Sequence, residues 1–100
     1  MRDDRQRLDK WLFFARFAKS RTLAARLVAE GHVRVNGGRV ENAAKGVAVG
    51  DVLTIAAPRT TCVVRVEGLG ARRGPAPEAR LLYSELGRDD PPLVAAVPSG

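Results

Sequence analysis

The sequence predicts an α+β domain in which a two-helix hairpin packs on a small, mainly antiparallel β-sheet, followed by a short C-terminal helix. Two stretches within the first thirty residues repeat apolar residues at helical spacing, and Asn36-Gly37 then stands between two alternating segments. Apolar runs of strand character follow at 52–55 and 61–66. With 100 residues and 10.8 kDa, the chain has room for one small domain.

The first helix is predicted over residues 7–18. Its apolar stripe repeats at spacings of three and four and contains Leu8, Trp11, Leu12, Ala15 and Ala18. Phe13 and Phe17 project off that stripe and allow two interpretations. They either cover a second hydrophobic contact, for example against the C-terminal segment, or form an aromatic platform for an unpaired base.

A second helix is predicted to begin after Ser20 and to end at Gly31. Ser20 is a favourable N-cap, and Gly31 suits the left-handed residue that follows many helices. Its apolar stripe consists of Leu23, Ala24, Leu27 and Val28. The two helices are therefore expected to pack as a hairpin that turns near Ala18–Ser20.

The segment from His32 to Val40 predicts a β-hairpin. If Asn36-Gly37 forms a two-residue turn, Val33 pairs with Val40 and Arg34 lies opposite Arg39. Like charges directly across a strand pair are unfavourable. An anion could bridge the two guanidinium groups, both side chains could splay into water, or a three-residue loop could shift the register.

The remaining residues predict two strands, a basic loop and a third helix. Cys62 lies within the second of these strands and is expected to be a small core residue. The loop at 71–77 leads to a helix that starts at Pro77 and carries Leu81, Leu82, Tyr83 and Leu86. We expect one domain over 6–86 and a disordered tail at 87–100.

The charge of the chain is concentrated at one end. The net charge is +6, and the first forty residues hold ten Lys and Arg against four acids, so they carry the whole excess. This asymmetry indicates a binding face for a polyanion, although charge needed only for solubility is the other interpretation. Strictly apolar runs reach only five residues, as in Trp11 to Ala15, which is too short to span a membrane, and we expect a cytoplasmic protein that does not bind membranes.

The strongest candidate anion site is Lys19-Ser20-Arg21, where two cations flank the start of the second helix. Arg16 and Arg26 could extend it, although Arg26 is equally suited to pair with Glu30 four residues later. Asp9, which lies among arginines on the first helix, is expected to orient one of them through a salt bridge.

Catalytic chemistry has little support in this sequence. There is one histidine, His32, and one cysteine, so a zinc cluster of ordinary His and Cys ligands is not expected. The paired acids Asp3-Asp4 and Asp89-Asp90 stand near the ends of the chain. We predict no enzyme activity, no catalytic or metal-binding residues, no cofactor and no small-molecule substrate.

An ordered set of motifs resembles the RNA-binding module named after ribosomal small-subunit protein four, the S-four domain. The motifs are Arg7-Leu8-Asp9-Lys10-Trp11-Leu12, Lys19-Ser20-Arg21, Val33 with Val35-Asn36-Gly37, and Gly50-Asp51. The opening of the first helix, the Arg72-Arg73 loop and Leu81-Leu82-Tyr83 further resemble the ribosome-associated heat shock protein fifteen family. That second resemblance reaches to about Glu85. The two resemblances together imply one RNA-binding domain over 6–86, with a core at 6–55 and a family-specific extension at 56–86.

The resemblance implies a non-catalytic protein that binds rRNA of the large ribosomal subunit. The implied target is a free subunit that still carries a nascent chain with its tRNA, in a heat-shock and recycling role. The expected RNA-binding residues are Arg7, Lys10, Arg16, Lys19, Ser20, Arg21, Arg34, Asn36 and Arg39. A second tier comprises Arg5, Phe17, Arg26, His32, Lys45, Arg72 and Arg73.

Several expectations remain alternatives. The chain could instead be a detached RNA-targeting subunit of an rRNA- or tRNA-modifying enzyme, or a basic protein of membrane surfaces. Like any protein with a basic patch, this protein could also bind DNA. We expect it to be a monomer. Family members carry a long basic C-terminal extension, whereas this chain has an acidic, proline-rich end, so its affinity for the ribosome is expected to be lower.

Overall fold

A computed structural model of the protein describes residues 5–56 and 61–89, which form three helices and two antiparallel sheets. The helices are α1 (Leu8–Phe14), α2 (Arg21–Ala29) and α3 (Ala76–Ala79), and a 3-10 turn at Arg80–Leu82 continues α3. The small sheet pairs β1 (Gln6–Arg7) with β4 (Gly46–Val47). The predicted α+β class is confirmed, and no helix within the described ranges is long and apolar enough to cross a bilayer.

The larger sheet has five antiparallel strands in the order β3-β2-β5-β6-β7. They are β2 (Val33–Val35), β3 (Gly38–Val40), β5 (Val52–Ala56), β6 (Thr61–Val66) and β7 (Tyr83–Asp89). Alternate residues of β2, β5 and β6 are buried, because successive side chains of a strand point to opposite faces. The core contains these residues together with the apolar stripe of α1 and part of that of α2, and it includes Cys62 as predicted.

Helix α1 ends four residues earlier than predicted, at Phe14. The amide of Arg16 donates to the carbonyl of Phe13, and the amide of Phe17 donates to that of Leu12. These are the two bonds of a Schellman motif, whose left-handed residue is Arg16 with φ +69°. Because glycine normally occupies that position, the sequence contains no local signal for the end of this helix.

Helix α2 follows its prediction closely. The Ser20 hydroxyl accepts a hydrogen bond from the amide of Leu23, and Gly31 stands just beyond the helix with φ +81°. The bonds Gly31 to Val28 and His32 to Leu27 complete a second Schellman motif. One residue of the predicted stripe departs, because Leu23 is 43% exposed.

We expect Gly31→Ala to destabilise the domain by about 1 to 2 kcal/mol, because an L side chain in the left-handed region is strained. The new Cβ would also stand 2.5 Å from Nη2 of Arg39, which must move. Gly37→Ala is the matched control, since Gly37 has φ +85° but open space around it. Urea unfolding of both variants measures the costs. A Gly31 variant as stable as the parent would contradict the assignment of this cap.

The β2–β3 hairpin has the predicted two-residue register. Val33 pairs with Val40, and Arg34 lies opposite Arg39. Asn36 and Gly37 have φ of +53° and +85°, the signs that a type I′ turn requires. The guanidinium of Arg39 lies 3.0 Å from the carboxylate of Glu41, so an acid of the chain pairs with one of the two facing arginines.

The C-terminal helix is shorter than predicted, because residues 83–89 form β7 instead. Tyr83 pairs with Val66 and Asp89 pairs with Thr61, with an irregularity between Val63 and Val64. The prediction that the helix carries Tyr83 and Leu86 is wrong, since the backbone pairing offered by β6 outweighs the local apolar spacing. Strand β7 includes residues 87–89 of the predicted tail, and 90–100 lie outside the described residues.

Candidate nucleic-acid interface

Asp9 links the starts of the two long helices. Its side chain is 6% exposed and accepts hydrogen bonds from Nε and Nη2 of Arg7, each at 3.1 Å. Nη2 of Arg21 donates to Oδ1 of Asp9 at 3.5 Å, the same oxygen that accepts from Nε of Arg7. The arginine side chains themselves are about half exposed. One buried carboxylate therefore holds two guanidinium groups near each other at the surface, which confirms the predicted salt bridge.

Opposing effects act on the pKa of Asp9. Burial, the largest effect, raises the pKa of this carboxyl, whereas the hydrogen bonds and charge of Arg7, the charge of Arg21 and the amide of Lys10 lower it. The lowering effects together prevail, so the pKa of Asp9 lies below its ordinary value. The pKa of Arg7 is raised, chiefly by its hydrogen bond to Asp9. The carboxylate of Asp9 and the guanidinium of Arg7 are therefore both charged at neutral pH. We call Asp9 with its two partners, Arg7 and Arg21, the Asp9 clamp.

The Lys19-Ser20-Arg21 tripeptide sits beside this clamp at the start of α2. Ser20 caps the helix through its hydroxyl, and Arg21 contacts Asp9. Lys19 is exposed. The amides and positive dipole end of a helix start favour a phosphate oxygen, and here they lie among three cations that include Arg7. These cations and the helix start together form a candidate site for a polyanion.

The loop before β4 brings further cations to the same end of α1. The amides of Leu8 and Asp9 donate to the carbonyls of Lys45 and Ala43 at 2.9 and 3.1 Å. Arg5 is exposed, and the aliphatic part of its side chain lies against Gly46. A Cβ added to Gly46 would stand 3.1 Å from the Cβ of Arg5. Arg5 and Lys45 therefore lie near Arg7. We define the basic cluster as Arg5, Arg7, Lys19, Ser20, Arg21 and Lys45.

Lys10 and the hairpin arginines occupy other positions. The ammonium of Lys10 lies 5.7 Å from the ring centroid of Phe14. Arg34 is exposed on β2 opposite Arg39, whose guanidinium pairs with Glu41. These residues belong to the predicted RNA-binding set, and the hairpin pair forms a separate group on the large sheet.

Asn36 has a structural task in the hairpin. Its Oδ1 accepts from the amide of Val52 at 2.9 Å, and its Nδ2 donates to Oδ1 of Asp51 at 3.3 Å. The other oxygen of Asp51 accepts from the amide of Ala48. The Val-Asn-Gly and Gly-Asp motifs thus hold two turns together, fifteen residues apart in sequence, and position the hairpin.

Arg16 and Arg73 join the end of α1 to the loop before α3. Nε of Arg16 donates to the carbonyl of Gly74 at 2.7 Å, and Nε of Arg73 donates to that of Phe13 at 3.2 Å. The Arg73 guanidinium also lies 4.9 Å from the Phe13 ring centroid. Arg72 pairs with Glu78 at 2.8 Å. Intramolecular contacts therefore engage all three arginines, and Arg73 adds a second hydrogen bond to the Phe13 carbonyl, which also accepts from the amide of Arg16.

The aromatic residues at 13 and 17 have different surroundings. Phe17 stacks on Trp11 with centroids 5.9 Å apart, and lies 4.8 Å from Tyr83 of β7. This contact with the C-terminal segment is the first of the two interpretations considered for Phe17. Phe13 contacts Phe14 and Arg73 instead.

Arg26 and His32 both lie near Glu30, beyond the basic cluster. Nη2 of Arg26 is 3.6 Å and Nε2 of His32 is 3.5 Å from the carboxylate of Glu30, and all three side chains are exposed. The alternative of pairing with Glu30 is therefore the one that the structure shows for Arg26. Within residues 5–56 and 61–89, no group of three or more His, Cys, Asp or Glu side chains could hold a metal ion.

Two residues near the predicted site, Arg80 and Tyr83, were not among the predicted RNA-binding residues. Tyr83 contacts Phe17. Arg80 lines a small cavity together with these two rings and residues of α3. Both contacts join residues more than sixty positions apart, which local spacing does not reveal.

Comparison with known proteins finds a matching domain family and several similar proteins. A model of the S4 domain matches residues 6–53. The Heat shock protein 15 homolog of Haemophilus influenzae is 38% identical over 85 residues, which are 85% of this chain and 64% of that protein. Heat shock protein 15 of Escherichia coli K12 is 42% identical over 79 residues, which are 79% of this chain and 59% of that protein. The chain thus spans less than two thirds of the length of these relatives.

A solved structure is similar throughout most of the domain. It is described as a trimeric structure of Vibrio cholerae Heat Shock Protein 15, and it is 38% identical to this chain. The TM-score is 0.75, and the match covers 82% of each chain.

Proposed function

Because this chain belongs to the Heat shock protein 15 family and contains an S4 domain, we propose that it is a non-catalytic protein that binds structured RNA in a heat-shock role. The observation that carries the proposal is the Asp9 clamp, which presents Arg7 and Arg21 together beside Lys19 and a capped helix start. Such a set suits two or more neighbouring phosphates, which positioned guanidinium groups and helix amides bind well.

The finer proposal is that the RNA is rRNA of the large ribosomal subunit, in free subunits that still carry a nascent chain with its tRNA. It is supported by the family membership and by the concentration of the entire +6 charge in the first forty residues. We propose that the protein acts in the cytoplasm. A monomer stays our prediction, whereas the Vibrio cholerae relative is described as trimeric.

We expect Lys19→Glu to weaken binding to large-subunit rRNA at least tenfold and to reduce the slope of log affinity against log salt by about one to two. Lys19 is exposed, so its reversal removes a phosphate contact without loss of a core contact. Arg65→Glu is the matched control, because it makes the same change in net charge at an exposed residue of β6. Filter binding at several salt concentrations gives both quantities, and circular dichroism checks the fold.

Co-sedimentation tests the finer proposal. The parent chain should pellet with large subunits that carry peptidyl-tRNA more strongly than with empty large subunits or small subunits, and Lys19→Glu should not. Equal pelleting with all three particles would contradict the choice of target but leave RNA binding intact. If Lys19→Glu and Arg65→Glu bind rRNA equally well, the basic cluster is not the interface.

The second candidate function, a detached targeting subunit of an RNA-modifying enzyme, would use the same basic cluster. It predicts a stoichiometric modifying enzyme in native purification from cells, in place of the large subunit.

A further inference from the structure

A small cavity lies between the α1–α2 connection and the segment that contains α3 and the start of β7. It measures about 180 Å³, and its floor consists of the small residues Ala15, Ala76 and Ala79. This volume is below the roughly 300 to 1,000 Å³ of pockets that hold drug-sized molecules, so the cavity suits one flat ring system. The space exists because three alanines line a position where larger side chains would fill it.

Two aromatic rings form one wall of this cavity. Phe17 and Tyr83 are half-buried, and their centroids lie 4.8 Å apart at an interplanar angle of 52°. Trp11 supports the pair from the core, stacked on Phe17 at 23° and edge-on to Tyr83. The Trp11 side chain is itself held by its Nε1, which donates to the carbonyl of Gly68 at 2.9 Å. The rings are therefore fixed in place before any ligand enters.

Two arginines complete the lining, and no acidic residue belongs to it. Arg80 is exposed, and among residues 5–56 and 61–89 it has no ion-pair partner. Arg16 is exposed and uses Nε for Gly74, which leaves its terminal nitrogens free of that bond. It also holds a left-handed backbone conformation, which is less favourable for arginine than for glycine. Strain of this kind concentrates at functional positions.

We infer that this cavity accepts one unpaired base of a bound RNA, which stacks on one of the two rings, Phe17 or Tyr83, and contacts the other at an angle, while Arg16 and Arg80 contact the phosphates on either side. Aromatic side chains stack on any base, and arginine pairs with phosphate through its planar donors. The inference rests on the proposed RNA-binding function and adds a preference for an unpaired nucleotide. The site is built jointly by the S4 domain and the extension that follows it, since Tyr83 and Arg80 lie outside residues 6–53.

Two RNA hairpins with the same stem test the inference on the full chain. One is fully paired and the other carries a single bulged 2-aminopurine. We expect the bulged RNA to bind about tenfold more tightly, within the range that stacking of one base provides. We also expect binding to change the fluorescence of the bulged 2-aminopurine, because stacking on an aromatic ring quenches this base.

Three variants test whether the cavity causes the preference for the bulged RNA. Ala76→Trp fills it from an exposed position on α3, and Arg80→Gln removes a cation; both should abolish the preference for the bulge. Ala76→Trp should also leave affinity for the paired hairpin unchanged, which shows that it folds. Arg65→Gln, which loses the same charge outside the cavity, should keep the preference.

The outcomes separate the two proposals. Failure to bind either hairpin would overturn the proposed function. Equal binding of both hairpins by the parent chain, or a bulge preference that survives Ala76→Trp, would overturn the base-binding cavity while RNA binding stands.

Discussion

Trp11→Ala is expected to lower the free energy of unfolding by about 3 to 5 kcal/mol, the usual cost of truncating a large buried aromatic side chain. Trp11 is completely buried and contacts Phe17 and Tyr83 at centroid distances of 5.9 and 6.3 Å. Its loss also leaves the carbonyl of Gly68 without its donor. Small domains have only about 5 to 15 kcal/mol in total, so this variant loses a large share of its stability and should melt at a clearly lower temperature.

Chemical unfolding followed by far-ultraviolet circular dichroism measures this cost, since the variant has no tryptophan fluorescence. Trp11→Phe serves as the conservative comparison, because it keeps an aromatic ring but loses the bond to Gly68. It should fall between the parent and Trp11→Ala. A Trp11→Ala variant within 1 kcal/mol of the parent would show that the α1 packing described above is wrong.

Asp9→Asn is expected to destabilise the domain by roughly 1 to 3 kcal/mol, because a buried carboxylate with charged donors is replaced by an amide that can accept only through one oxygen. The figure stays modest because Arg7 and Arg21 are about half exposed and can be hydrated when released. Glu41→Gln, which disrupts an exposed pair with Arg39, is the control and should be nearly neutral. Thermal melts at neutral pH compare the three chains.

The same variant should change how stability depends on pH. Because the pKa of Asp9 is lower in the folded protein, this carboxyl contributes stability that is present above its unfolded pKa and lost as the pH falls below about 4. The parent should therefore lose more stability than Asp9→Asn between pH 6 and pH 3. Parallel loss in both chains would contradict the lowered pKa.

Asp9→Asn should also bind rRNA more weakly, although its net charge is one unit more positive. The reason is that Arg7 and Arg21 are no longer held together, so each phosphate contact must first order a free arginine side chain. Tighter binding by this variant would mean that charge alone, and not the clamp, determines affinity.

The sequence was most informative where the chain's conformation depends on near neighbours. The register of the hairpin follows from Asn36-Gly37, and the limits of α2 follow from Ser20 and Gly31. Each of these residues favours its conformation through its own backbone preference or a bond to a residue three positions away. The salt bridge of Asp9 was predictable because Arg7 lies on the same turn of chain.

Local reasoning failed where distant segments compete for a residue. Arg16 has no intrinsic preference for the left-handed region, and its place in the cap depends on Phe17 packing on Trp11 and on its own bond to Gly74. Residues 83–86 have apolar spacing that suits a helix, yet they pair with β6.

By itself, the sequence therefore determined the fold class, the cationic first forty residues and the motifs that hold the hairpin, because spacing, capping and turn chemistry act over a few residues. Only the tertiary structure decided which cations are engaged with the chain's own groups, as Arg73 is with Phe13, and which remain exposed, as Lys19 is. It also decided that Phe17 and Tyr83 share a wall of one cavity. Such contacts depend on the packing of segments sixty residues apart, where burial and backbone pairing outweigh local preference.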